Sequence, residues 1–99
     1  MLHFQDHING DKPVVVDFYA DWCQPCKMMA PVLREVKDKI GDKATLLKVD
    51  VDKTPYYSQL YNIVSIPTLI VFQKGRVLWR VSGVVSAQQI LQQLNQFVS

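Results

Sequence analysis

Trp22-Cys23-Gln24-Pro25-Cys26 holds the only two cysteines of the 99-residue chain, three positions apart with a proline between them. The pair stands where an apolar run, Val14-Val15-Val16-Asp17-Phe18-Tyr19-Ala20, gives way to a long helical pattern. Two thiols at this spacing can close a disulfide, supply half of a metal site, or do neither. The sequence around them decides between these readings.

Upstream, the Val14–Ala20 run is β-branched and nearly continuous in its hydrophobicity. It reads as a strand buried on both faces, as in the centre of an α/β sheet. Asp17 interrupts it. Buried and unpaired, a carboxylate there has a raised pKa, and its place six residues before Cys23 marks it as a functional acid. Downstream, Met29, Val32, Leu33, Val36 and Ile40 follow helical spacing while Arg34, Glu35, Lys37, Asp38 and Lys39 mostly take the other face. Pro31 lies inside this run and is expected to kink the helix without ending it, because the apolar stripe resumes in phase. Gly41 is the expected C-cap, and Met28-Met29 the expected core filler.

The remaining chain continues the alternation. Leu2 to Ile8 is a short helix candidate, followed by the turn cluster Asn9 to Pro13. Ala44 to Val51 is a second strand. Thr54 and Pro55 open a short helix as N-cap and first helical residue, with Tyr57, Leu60 and Tyr61 as its buried stripe. Leu69 to Phe72 and Arg76 to Val81, joined by Lys74-Gly75, form an antiparallel hairpin. Ser86 to Gln89 has the form of a capping box. It starts a closing helix with Ile90, Leu91, Leu94, Phe97 and Val98 on one face. The order α, β, α, β, α, β, β, α predicts parallel pairing where strands alternate with helices, and antiparallel strands at the end.

The totals bound the function. The length fits one domain, residues 1–99. A hydrophobic fraction of 48% supports a packed core. A net charge of +2 leaves no footprint for nucleic acid or an anionic membrane. No apolar run approaches the roughly 20 residues needed to cross a bilayer. The N-terminal Met1 to Asp6 shows no basic region followed by an apolar one. The chain is therefore expected in the reducing cytoplasm, where a C-x-x-C pair is catalytic or metal-binding rather than structural. His3 and His7, at i, i+4, could complete a zinc site with the cysteines. They read better as surface histidines, because structural zinc sites draw their ligand pairs from local knuckles and turns.

At the mouth of the long helix, Cys23 faces unpaired backbone N–H groups and the positive end of the dipole, which favour thiolate. Pro25 fits the first turn. Cys26, one turn on, is expected to be more buried and less reactive. Cys23 then attacks a partner disulfide, and Cys26 resolves the mixed disulfide. Asp17 is the expected acceptor for the Cys26 proton, and Lys48 on the neighbouring strand the holder of its charge.

These residues together resemble the thioredoxin family over almost the whole chain. The family's W-C-G-P-C-K is here Trp22-Cys23-Gln24-Pro25-Cys26-Lys27. Asp17, Lys48, Pro31, Ile66-Pro67-Thr68, Gly75 and Gly83 match its buried aspartate, lysine partner, kink proline, I-P-T loop and two glycines. The resemblance implies an α/β thioredoxin fold, a central mixed sheet flanked by helices. It implies a cis Pro67 facing the cysteines, and Ile66 backbone pairing with an extended partner. Trp22, Gln24, Pro25, Ile66, Pro67 and Gly83 then form the docking groove. It further implies a monomeric protein-disulfide reductase whose only redox group is the Cys23–Cys26 pair, with no other cofactor. Its partners are a thioredoxin reductase and disulfide-containing target proteins. Gln24 departs from the usual glycine, and Tyr19 from a frequent tryptophan. About a dozen residues precede the first clear strand, which predicts four strands with the family's first strand missing. Competing readings are an oxidant or isomerase on the same fold, and a binding module that docks partners without turnover.

Overall fold

A computed structural model describes residues 3–98 of the chain. The elements are α1 (Phe4–Ile8), β1 (Val14–Tyr19), α2 (Gln24–Ile40), β2 (Thr45–Asp50), α3 (Pro55–Leu60), β3 (Thr68–Gln73), β4 (Arg76–Ser82) and α4 (Ala87–Leu94), with a 3-10 turn at Gly41–Lys43. Leu2, assigned to the first helix from sequence, lies outside the described residues. Among the described residues, four strands form one mixed sheet in the order β2-β1-β3-β4.

β1 is central because it is apolar on both faces. Val15 points to a core built with Met29, Leu33, Val36 and Ile40 of α2 and Ile90 and Leu94 of α4. Val14, Val16 and Phe18 point to the opposite core, with Ile8, Ile70, Phe72 and the half-buried rings of Phe4, Tyr57 and Tyr61. Phe4 stacks on Tyr57 with ring centres 4.0 Å apart. β1 pairs in parallel with β2, but antiparallel with β3. The parallel pairing expected after α3 is therefore corrected. Its reason is length: the 17 residues of α2 climb about 25 Å, enough to return the chain past a six-residue strand of about 20 Å, whereas the six of α3 climb only about 9 Å. β3 must start at the end where β1 and β2 finish, and that end carries the cysteines.

Other expectations shift in detail. Met28 is exposed while Met29 is fully buried, because successive helical positions lie about 100° apart and only one can face the sheet. Leu60 at the end of α3 is likewise exposed. Thr54 occupies the N-cap position of α3, but its side chain makes no capping bond. α2 runs through Pro31 to Gly41, which adopts φ +59°. The Lys37 ammonium reaches the Gly41 carbonyl at 2.9 Å and covers a helix end that would otherwise lack donors. Lys74 and Gly75 both take positive φ (53° and 78°), the backbone of a two-residue hairpin turn. Ser86 and Gln89 form the expected capping box, while Phe97 and Val98 lie beyond the end of α4.

Candidate active site

Cys23 is the N-cap residue of α2. Its extended backbone (φ −85°, ψ 110°) turns the sulfur back over the first turn, where it accepts the Cys26 backbone N–H at 3.2 Å. Pro25 sits in that turn, where its missing N–H takes nothing from the helix ladder. The two sulfurs are joined in a disulfide across a Cα separation of 5.3 Å. The expected difference in exposure is absent: Cys23 is 3% and Cys26 6% exposed. Ring closure draws both sulfurs together among Ala20, Tyr19, Val51 and Ile66. The asymmetry lies instead in the polar surroundings, because the Cys23 sulfur caps the helix and receives an amide.

The loop entering β3 lies opposite. The Ile66–Pro67 bond is cis, and the Ile66 carbonyl oxygen approaches the Cys23 sulfur to 3.8 Å. Thr68 pins this loop: its Oγ1 donates to the Ser65 carbonyl at 2.7 Å and lies 2.9 Å from Ser82 Oγ on β4. Gly83 donates its N–H to the Pro67 carbonyl at 2.8 Å and requires φ +89° to do so. Arg80, also on β4, donates to the carbonyls of Tyr61 and Asn62 at the end of α3. The rim of the cysteine face is apolar. Trp22 is 70% and Val64 92% exposed, and with Val51, Ile63 and Ile66 they line a hollow of about 250 Å³. Gln24 and Pro25 are exposed beside it.

Trp22 is not loose. Its indole N–H donates to Asp52 Oδ2 at 2.8 Å. Asp52 is presented by a turn organised by Asp50, whose buried Oδ1 accepts the amides of Asp52 and Lys53 at 2.9 and 3.2 Å. Asp50, Asp52, Thr68, Ser82 and Arg80 were absent from the set of site residues read from sequence. Each acts across 14 to 30 residues of chain or within a tight turn, so no local pattern announces it.

Asp17 is 2% exposed, and its Oδ1 has no hydrogen-bond partner. It does not touch the cysteines through a hydrogen bond. It lines a cleft with Val15, Ala30, Leu33 and Lys48, while Cys26 lines a neighbouring one that shares Ala30 and Lys48. Burial pushes the Asp17 carboxyl from 3.8 up to about 6, and the Lys48 charge offsets part of that rise. Among the described residues, no group of three or more His, Cys, Asp and Glu is placed to hold a metal ion. His3 is exposed at the start of α1 and His7 lines a separate cleft with Tyr57 and Lys53.

Comparison with known proteins agrees with this geometry. The family model described as thioredoxin matches residues 2–96. A thioredoxin of Alicyclobacillus acidocaldarius is 48% identical over 92 residues, 93% of this chain and 88% of its own. A thioredoxin-like protein of Synechocystis is 47% identical over 97 residues, covering 97% of this chain and 92% of its own. A bifunctional thioredoxin reductase/thioredoxin of Mycobacterium leprae is 42% identical over 95 residues, which are 96% of this chain but 21% of that protein.

Proposed function

The chain belongs to the thioredoxin family, and from that premise we propose the role of each residue at its cysteine face. The protein is a thiol-disulfide oxidoreductase that reduces protein disulfides through Cys23 and Cys26. The cysteine pair is itself the redox group, so the chemistry needs no further cofactor. The observation that carries the assignment of roles is the placing of the Cys23 sulfur at the N-terminus of α2, on the Cys26 amide and opposite the Ile66–Pro67 loop.

In the dithiol form, Cys23 thiolate attacks one sulfur of a partner disulfide, and the partner's other sulfur leaves as thiolate. Cys26 gives up its proton, with Asp17 as acceptor, and attacks the Cys23 sulfur. The Cys23–partner bond breaks, the Cys23–Cys26 bond forms, and the partner leaves with two electrons as a pair of thiolates that take their protons from solvent, while the Cys26 proton stays on Asp17. Lys48 moderates the charge left on or taken from Asp17. Trp22, Gln24, Pro25, Ile66, Pro67 and Gly83 form the docking rim, and the Ile66 backbone pairs with an extended segment of the partner. The reductase–thioredoxin fusion among the relatives supports a thioredoxin reductase as the electron source. The acting unit is a monomer of the single domain 1–99, working in the reducing cytoplasm. No helix among the described residues is long and apolar enough to cross a membrane.

The test is dithiothreitol-driven reduction of insulin, beside Cys23→Ser and Cys26→Ser. Both variants are expected to lose activity, and Cys26→Ser to hold partners as mixed disulfides. A reduction potential near that of protein disulfide isomerase, about −180 mV, would instead assign the protein to oxidation or isomerisation. Retention of its role in cells by Cys23→Ser would leave only docking.

A further inference from the structure

β2 is one edge of the sheet, and its outer side carries no strand among the described residues. The edge is regular: from Thr45 to Asp50 every residue keeps one parallel register with β1. The Thr45 amide donates to the Pro13 carbonyl, and the Val51 amide to the Tyr19 carbonyl. Backbone groups alternate in direction along a strand, so those of Thr45, Leu47 and Val49 point to β1 while those of Leu46, Lys48 and Asp50 point away. The Asp50 carbonyl accepts the Thr54 amide at 2.9 Å. The amides and carbonyls of Leu46 and Lys48, with the Asp50 amide, remain as an open hydrogen-bonding row.

A hollow flanks this row on each face of the sheet. Towards α2, one of about 290 Å³ has Leu33 and Leu46 on its wall, with Arg34, Lys37 and Lys48 around it. Towards α1 and α3, one of about 430 Å³ is lined by Phe4, Leu47 and Tyr57, with His7, Lys48 and Lys53. The acids of these hollows, Asp17 and Asp50, are buried, whereas Arg34, Lys37, Lys48 and Lys53 are exposed. An incoming strand sends successive side chains to opposite faces, so each hollow receives every second residue. The apolar walls fit aliphatic side chains, and the surrounding cations fit carboxylates. A second copy is a poor match, because pairing β2 with β2 sets Arg34, Lys37 and Lys48 of one copy beside those of the other.

We propose that the β2 edge binds a protein partner by strand addition, the partner supplying an extended segment with aliphatic residues at its centre and Asp or Glu at both ends. The edge is separate from the docking rim of Trp22, Gln24, Pro25, Ile66, Pro67 and Gly83. A partner held at β2 therefore leaves the cysteines open, and a disulfide elsewhere on it meets Cys23 at a raised local concentration.

The test uses the whole protein in its disulfide form and the capped peptide Glu-Glu-Val-Ile-Val-Glu-Glu, whose extended length of about 20 Å matches the edge. Calorimetric titration is expected to show binding, and in NMR spectra the Leu46 and Lys48 amides should shift and gain protection from hydrogen exchange. Affinity should fall about tenfold between about 0.01 and about 0.15 M salt, as the screening length shrinks from about 30 to about 8 Å. The same peptide with Lys in place of Glu should not bind. Leu46→Pro removes an outward amide and none that pairs with β1; Arg34→Glu reverses a charge beside the α2-side hollow and leaves the backbone untouched should the first variant misfold. Each should weaken the peptide by about tenfold or more while insulin reduction keeps its native rate. No binding at millimolar peptide, equal binding of the Lys peptide, or shifts centred on Trp22 and Ile66 would overturn the proposal. Binding that neither variant weakens would overturn it too. So would a concentration-dependent dimer in sedimentation that Leu46→Pro dissolves, because the edge would then belong to a second copy.

Discussion

Asp17 and Lys48 are register partners across the parallel β1–β2 pair, yet the Lys48 ammonium stands over the Tyr19 ring, 4.4 Å from its centre, and makes no ion pair with the carboxylate. Desolvation therefore outweighs the Lys48 charge, and the carboxyl is held near 6 instead of 3.8. The sign follows. A carboxyl whose folded pKa is raised is most compatible with the fold when neutral, so its stability is full below about 3.8 and falls as pH rises through about 6. Asp17→Asn is expected to raise the stability of the disulfide form at pH 8 by up to about 3 kcal/mol and to change it little at pH 3.5. Urea denaturation at the two pH values checks this; an equal gain at both would remove the charge from the explanation.

The same carboxyl sets a pH dependence for resolution. As proton acceptor it must be ionised, so the decay of the mixed disulfide should slow as pH falls below about 6. In Asp17→Asn this inflection should vanish, with resolution slowed more than formation. Equal slowing of both steps would count against the acceptor role.

The Trp22–Asp52 hydrogen bond predicts a split between stability and docking. Trp22 is largely exposed, so Asp52→Ala should cost no more than about 1 kcal/mol. It frees the indole from a fixed pose on the rim, and mixed-disulfide formation with a protein substrate should slow several-fold while reaction with a small disulfide does not. Trp22 fluorescence reports the release directly.

Gly83→Ala tests backbone strain alone. A Cβ at this position meets nothing within 4 Å, but φ is +89°. The expected cost is about 1–2 kcal/mol, read as a lower denaturation midpoint, with weaker substrate binding because the Gly83 N–H holds the Pro67 carbonyl. An unchanged midpoint would mean that the backbone relaxes.

Much of this was legible in sequence. The Val14–Tyr19 run, the α2 stripe, the Lys74-Gly75 turn and the Ser86 box each carry a local signal of period or turn chemistry, and each sits where that signal puts it. Direction was not legible for β3, because nothing local in α3 says that six residues are too few to reverse the pairing. Exposure of the cysteines was misjudged because helical position alone does not reveal what the Ile66 loop covers. Asp52 and Arg80 went unread because an aspartate in a turn and an arginine on an edge strand look like ordinary surface until their distant partners are placed.

The position of β1 in the sheet reaches beyond the folded molecule. It comes first among the strands and lies between β2 and β3, the latter spanning Thr68–Gln73. During synthesis, then, one edge of Val14–Tyr19 stays unpaired until that later segment has emerged from the ribosome. Chaperones that bind extended aliphatic segments have their window on this chain while it is being made, and the Val14-Val15-Val16 run is where they should be found.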